Sequence, residues 1–504
     1  DWSSDVCSSD LQNISIVGAG VGGLTTGIYL QSEGYQVTIY EKNDHPGGKM
    51  DTIQADGFKF DTGPTIVMMP DIYKKPFADT GVNYEDYFTM IRVNPFMDVW
   101  TDGEKIPLSS DLADIAKVFE AQGETEMLGF LKYLTDIYGK YINAKNNFIY
   151  QSFRGPRDFF NLKTLWHAYQ LKTFSSSYAA IKKNISSTNL QYLMSFQTLY
   201  IGISPFNGPS IYNIIPMIEL IYGVWFIKGG MFQYAKALEK RFIELGGQIV
   251  YQAEVQEIAV SDQKHVTGLK INEEFKTADA VVANADFPYT MTNLLGVADK
   301  AKGKYKQEKI EKMDYSMSCF LLYLGVDKKY DELRLHTIKM ASDFEKNVAD
   351  IDHGILPEDP SFYVYNPSVI DDTFAPDNQS ALYVLVPVAN LKENNNWDKE
   401  QIDLFAEKII AKVENELALE GLSRHIIYKN IYTPKTFESR YNSAFGSTFG
   451  LKPTLKQSNY FRPHNKHAKI DNLYFAGASV HPGAGVPIVI TSGELAAREV
   501  MKDN

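Results

Sequence analysis

The sequence predicts an α/β protein: a Rossmann-like nucleotide-binding domain whose chain is interrupted by a long α+β substrate domain. Three observations predict it. An apolar strand near the N-terminus runs into Gly18-Ala19-Gly20-Val21-Gly22-Gly23. A second glycine-rich segment, Gly477 to Gly485, lies near the other end of the 504 residues, and much of what separates them is aromatic and apolar. One ligand clasped between the first and last parts of a chain makes the residues between them an insertion.

A chain of 504 residues is long enough for two or three domains and a substantial core without disulfides or a structural metal. Its net charge of -12 argues against a general nucleic-acid binder. Only Cys7 and Cys319 occur, too few for a metal cluster or a disulfide framework, which fits a reducing, cytoplasmic compartment. No apolar run reaches twenty residues, and no basic region followed by an apolar stretch opens the chain, so a spanning helix is not expected. Asp1 to Asp10, rich in serine and aspartate, read as a disordered or foreign extension, and Cys7 receives no role.

Ile14 to Val17 is short, apolar and partly β-branched, and the residues from Gly23 to Ser32 carry a helical apolar pattern. Gly18, Gly20 and Gly23 stand between them at G-x-G-x-x-G spacing. Gly18 makes the sharp exit from the strand, Gly20 admits a pyrophosphate close to the backbone, and Gly23 lets helix and sheet approach. Phosphate charge then meets the free N–H groups of the helix start. A second strand, Gln36 to Tyr40, ends at Glu41, about twenty residues on, where a carboxylate binds the adenosine ribose and repels a 2'-phosphate. Gly47 and Gly48 admit close backbone approach or form a surface turn, and Lys49 can offset pyrophosphate charge.

From about Phe88 to Tyr234 the composition turns aromatic. Most of Tyr138, Tyr141, Phe148, Phe153, Phe159 and Phe160 should be core residues. Ile214 to Ile227 carries one charge, Glu219, and reads as buried helix and strand, as tunnel wall, or as a surface dipping into a membrane. A carboxylate there is paired, exposed at a helix edge, or shifted in pKa for proton chemistry. A helix to about Glu244 and strands at 248–251, 255–260, 266–271 and 280–283 read as the return that completes the nucleotide domain. Strands at 318–324, 361–365 and 381–386, with a helix over 397–419, read as a second substrate portion. The expected division is 11–87, 235–290 and 465–504 for the nucleotide domain, and 88–234 and 291–464 for the insertion.

Near the C-terminus a strand enters Gly477-Ala478-Ser479-Val480-His481-Pro482-Gly483-Ala484-Gly485-Val486-Pro487-Ile488, which opens a helix to about Met501. That is a second helix terminus able to meet an electron-rich group. His481 in this turn positions a ligand or is a satisfied turn histidine. Arg154 and Arg157 face the ligand, solvent or lipid headgroups.

Glu41-Lys42, Gly47-Gly48-Lys49, Asp56-Gly57-Phe58, Asp61 and Gly63-Pro64-Thr65 together resemble the N-terminal signature of the flavin amine oxidase and phytoene desaturase superfamily. Gly446 to Gly450, Asn459 to Pro463 and His481 to Gly485 resemble its bacterial carotenoid (phytoene) desaturase family. The segments 63–70, 196–202 and 481–488 are similar to the branch acting on C30 precursors. The likeness runs from about Ile14 to Val500. It implies FAD, held by Gly18, Ala19, Gly20, Gly23, Glu41, Lys42, Gly48, Lys49, Gly63, Pro64 and Thr65. It further implies Val255 backbone at the adenine, and Gly477, Ala478, Gly485, Val486, Pro487 and Ile488 on the other side. The activity implied is desaturation of 4,4'-diapophytoene toward 4,4'-diaponeurosporene and 4,4'-diapolycopene, by an enzyme peripherally attached to the inner face of the cell membrane, with oxygen or a quinone as re-oxidant. Catalytic candidates are Glu219, His481 and Arg154; no metal is expected, and a homo-oligomer is left open. The rivals are a carotenoid terminal-methyl oxygenase, an amine oxidase and an apolar-lipid binding module.

Overall fold

The computed structural model describes residues 12–101, 103–171 and 173–503. The expectations for Asp1 to Asp10 and Cys7 lie outside the described residues.

A five-stranded parallel sheet gathers distant parts of the chain. Its order is Leu473–Phe475, Ala280–Ala283, Asn13–Val17, Gln36–Tyr40 and Gln248–Val250. Ile14, Ile16 and all of Ala280–Ala283 are buried, as a parallel sheet covered on both faces requires. The N-terminal helix Val21–Ser32 and the C-terminal helix Val486–Met501 cross closely, with the Thr26 hydroxyl donating to the Gly493 carbonyl at 3.0 Å. A methyl group on Gly493 would stand 2.6 Å from the Gly22 carbonyl oxygen, so a glycine there sets the approach of the two helices.

Two of the strands expected to complete the nucleotide domain lie outside this sheet. Val255–Val260 and Val266–Ile271 pair antiparallel with each other, and the latter with Glu274–Thr277, in a separate three-stranded sheet. Their burial is mixed, with exposed positions at Gln256 and Thr267, which suits a sheet with a wet face and not a doubly covered parallel one.

A seven-stranded mixed sheet runs in the order Ile426–Tyr432, Ser318–Val326, Ser380–Val388, Phe362–Tyr365, His336–Lys339, Met97–Thr101, Glu104–Leu108. Ser318–Val326 is buried throughout, and its two-residue period divides it between two cores. Phe320, Leu322 and Leu324 face the core that includes Phe405, Ile409 and Val413 of the helix Lys399–Glu416. Cys319, Leu321 and Tyr323 face the opposite way, into the larger aromatic core.

The segment after Phe196 folds as 3-10 turns Phe196–Ile201 and Ser210–Asn213, the helix Ile214–Tyr222 and the strand Val224–Ile227, paired antiparallel with Met90–Val93. The aromatic stretch before it is divided. Tyr141, Phe148, Phe153 and Phe159 are core residues, whereas Tyr138, on the outer face of the helix Glu126–Ala144, and Phe160 are exposed.

Candidate functional site

The first glycine turn is built by contacts too close for side chains. Gly18 has φ of +96°, and a methyl group on Gly23 would lie 2.2 Å from the Gly18 carbonyl oxygen. The neighbour that confines Gly23 is thus the turn itself, together with Asn284 at the end of the adjacent strand, more than the sheet face. Gly47 donates to the Ala19 carbonyl at 2.9 Å and pairs as a bridge beside Gly20, so the Gly47-Gly48 segment is part of this wall and not a surface turn. Glu41 is buried at the end of its strand, accepting from Ala19 N at 2.8 Å and Asn43 N at 2.9 Å.

A single cavity of about 460 Å³ joins the two ends of the chain. Gly18, Gly20, Glu41, Lys42, Gly48, Lys49, Gly63, Pro64, Thr65 and Val255 line it from one side, and Gly477, Ala478, Gly485, Val486 and Pro487 from the other. Both glycine turns lead into helices whose N-termini, at Gly20 and Gly485, have no side-chain cap among the described residues. Two sets of backbone donors therefore meet one space. Ala19, Gly23 and Ile488 stand behind this lining. Ala19 serves by its N–H to Glu41, and Gly23 by being small. Lys49 lines the cavity, but its ammonium donates to the Thr448 carbonyl at 2.9 Å and lies near Asp286, and burial lowers its pKa. It is committed to the protein instead of standing free for a pyrophosphate.

Beyond Gly63 the lining becomes apolar and aromatic, including Ile66, Met68, Leu199, Ile338, Met340 and Leu385. Tyrosines of the seven-stranded sheet pin the segment at the junction. Tyr323 donates to the Thr62 carbonyl at 3.0 Å, and the Tyr363 hydroxyl meets Thr65 Oγ1 at 2.7 Å. Sequence reasoning missed these tyrosines. The signal available was strand alternation, which places Tyr323 and Tyr383 directly opposite each other on neighbouring strands. It also missed Asn284 and Ser443, whose buried Oδ1 and Oγ on the cavity wall have no hydrogen-bond partner among the described residues.

None of the three catalytic candidates lines the cavity. Glu219 is buried, not exposed at a helix edge. It accepts from Gln197 Nε2 at 3.2 Å and sits behind Tyr200, whose side chain does reach the wall. Burial pushes its carboxyl up to about 8, so it is neutral at pH 7 and is no ready base. His481 turns away from the cavity. Its Nε2 meets the Gln151 carbonyl at 2.8 Å, its ring packs edge-on against Phe153 at 5.0 Å, and burial pulls it down to about 3. Through Nε2 it holds the last glycine turn to the aromatic segment. Arg154 pairs with Glu499 and, at 2.7 Å, with Asp503 of the C-terminal region. The buried Glu499 carboxylate draws it there, so Arg154 clamps the last helix instead of facing a ligand.

The model of the family described as flavin containing amine oxidoreductase matches residues 21–501. A 4,4'-diapophytoene desaturase (4,4'-diaponeurosporene-forming) of Staphylococcus haemolyticus is 44% identical over 495 residues, covering 97% of this chain and 99% of the relative. The protein of the same description from Staphylococcus aureus strain Newman is 42% identical over 496 residues, with the same coverage. Among solved structures, an oxidoreductase from Methanosarcina mazei superposes with a TM-score of 0.63 at 16% identity, covering 97% of this chain and 100% of that one, which shows a shared fold.

Proposed function

The chain belongs to the flavin containing amine oxidoreductases, and on that premise we propose that it binds FAD and desaturates 4,4'-diapophytoene toward 4,4'-diaponeurosporene. The observation that carries this reading is the single cavity whose polar half is walled by two uncapped helix starts and whose other half is apolar. The unpartnered Asn284 Oδ1 and Ser443 Oγ fit a polar ligand in that first half, and the close glycines fit one held against backbone. Gly18, Gly20, Glu41, Lys42, Gly48 and Val255 would hold the nucleotide, and Gly63, Pro64, Thr65, Gly477, Ala478, Gly485, Val486 and Pro487 the remainder. When bound, the flavin supplies a two-electron acceptor for dehydrogenation of a saturated carbon–carbon bond.

The chain's own part is placement and exclusion of water. Ile338, Met340 and Leu385 offer dispersion contacts along an extended polyene, and the dry wall protects positive charge developing beside allylic double bonds. A substrate of this kind dissolves in lipid, and the outer surface fits that supply. Among exposed apolar side chains are Leu131, Tyr138 and Ile142 on the helix Glu126–Ala144, Leu162 (89% exposed) and Trp166 on Leu162–Leu171, and Phe174 (84%). The two helices adjoin where Asn143 Nδ2 donates to the His167 carbonyl at 3.0 Å. No helix among the described residues is long and apolar enough to cross a membrane. This face docks on the membrane surface peripherally.

Protein reconstituted with FAD should convert 4,4'-diapophytoene in liposomes, under oxygen or a quinone, into products whose extracted spectra shift stepwise to the red. Absence of any spectral change would overturn the reading, and incorporation of labelled oxygen would move it to terminal-methyl oxidation.

A further inference from the structure

At the junction of the cavity's two halves a chain of hydrogen bonds leads into the protein. The Thr65 hydroxyl and the Tyr363 hydroxyl, both on the cavity wall, are 2.7 Å apart. Tyr363 in turn meets Nδ1 of His336 at 2.7 Å. All three side chains are buried, His336 completely, with its ring nearly parallel to those of Tyr363 and Tyr365. Its Nε2 has no hydrogen-bond partner among the described residues. Resting on the desaturase reading above, we propose that Thr65, Tyr363 and His336 form the relay that removes the substrate proton, with His336 as its terminal acceptor.

One arrangement of the hydrogens carries a proton inward along these contacts. With the Nε2–H tautomer, Nδ1 accepts from the Tyr363 hydroxyl, and the Tyr363 oxygen accepts from the Thr65 hydroxyl. A lone pair of Thr65 Oγ1 is then left for the cavity. Dehydrogenation of a CH2–CH2 unit removes two hydrogens. One leaves with both bonding electrons to the flavin, which is reduced. The other leaves as a proton, and the electron pair of its C–H bond becomes the second bond of the new double bond. That proton is taken by Thr65 Oγ1, the Thr65 proton passes to the Tyr363 oxygen, and the Tyr363 proton passes to Nδ1, leaving an imidazolium and two unchanged hydroxyls.

A weak base is sufficient for this step. Burial pulls His336 down to about 3, yet an allylic cation is a far stronger acid than any imidazolium, so transfer runs downhill. The same burial keeps His336 neutral between turnovers, so that after the product leaves the proton returns through Tyr363 and Thr65 to the cavity. Glu219, the carboxylate singled out from the sequence, is protonated at neutral pH and stands behind Tyr200.

The test uses FAD-loaded protein and single-turnover formation of the extended chromophore from 4,4'-diapophytoene in liposomes. Tyr363→Phe removes one oxygen, Thr65→Val is nearly isosteric, and His336→Gln retains a polar group, so three variants report independently of any one failing to fold. Product formation should fall about a hundredfold in each, the lower range of general acid–base contributions, while Tyr363→Phe and His336→Gln keep their bound-flavin absorbance. The wild type should slow in D2O, because the relay hydrogens exchange with solvent, and Tyr363→Phe should lose that isotope effect. Wild-type rates in Tyr363→Phe and His336→Gln would overturn the relay alone. A wild-type protein that binds FAD but forms no product would overturn the desaturase reading.

Discussion

The two halves of the cavity are held by different forces. In the glycine-lined half, backbone meets backbone, Gly23 against the Gly18 carbonyl and Gly47 against Ala19, and the Glu41 carboxylate accepts from two backbone amides. In the apolar half the wall is made of side chains from strands of the seven-stranded sheet, Ile338 and Leu385 among them. The first has no slack, because a carbonyl oxygen cannot rotate out of the way as a side chain can. The second can repack. A fixed cofactor and a long apolar substrate need just this division.

Gly23→Val should give the largest effect. Its Cβ would meet a carbonyl oxygen at 2.2 Å, so the turn must open. The protein should lose its bound flavin absorbance altogether and melt several degrees lower, since overpacking of this kind costs about 1–3 kcal/mol or more. Retained flavin would break the claim that the polar half is rigid. Leu385→Trp, on the apolar wall, should keep the flavin and cut turnover at least about tenfold by filling substrate space. Steady-state kinetics on the flavin-loaded variant checks this, and lost flavin would show that the halves are not separable.

Glu219→Gln should leave turnover close to wild type, contrary to the role expected from sequence alone, because it imitates the neutral acid already present. Its signature is in stability. A carboxyl raised from 4.5 to about 8 binds a proton in the folded state that the unfolded state has lost. Its stabilisation is therefore fully present below about pH 4.5 and is lost as pH rises through 8. The variant should match wild type near pH 4.5 and exceed it by up to a few kcal/mol above pH 8, because each tenfold change in proton affinity is worth about 1.4 kcal/mol. Denaturant titrations at the two pH values measure the difference. Arg154→Met should give the smallest effect. The buried Glu499 carboxylate keeps Lys502 at 2.6 Å and Ser152 as partners, so stability should fall by about 1 kcal/mol with turnover unchanged.

Legibility in the sequence followed the same division. The polar half was readable because its chemistry is local: a strand, three glycines, a helix and an acid occupy residues 13–41, and the spacing of the glycines is itself the structure. Several strands, such as Val255–Val260 and Ala280–Ala283, were also placed at their bounds by composition and period. Their partners were not, since no local signal shows that Val255–Val260 pairs with Val266–Ile271 in a sheet of its own. The catalytic candidates failed for a related reason. Glu219, His481 and Arg154 are unusual in their sequence neighbourhoods, but what each does is set by a residue far away: Tyr200, Gln151 and Glu499.

By itself the sequence determined that a strand enters a glycine turn and a helix start near Gly18, that a second glycine turn opens a helix at Gly485, and that much of what lies between is apolar. Those properties follow from residue type and spacing within one supersecondary unit. Only the tertiary structure decided which polar groups face the cavity. Thr65, Tyr363 and His336 are separated by up to 298 positions in the chain and lie within two hydrogen bonds of one another. Burial, which sets the charge of His336 and Glu219, is likewise a property of what the whole fold packs around a side chain.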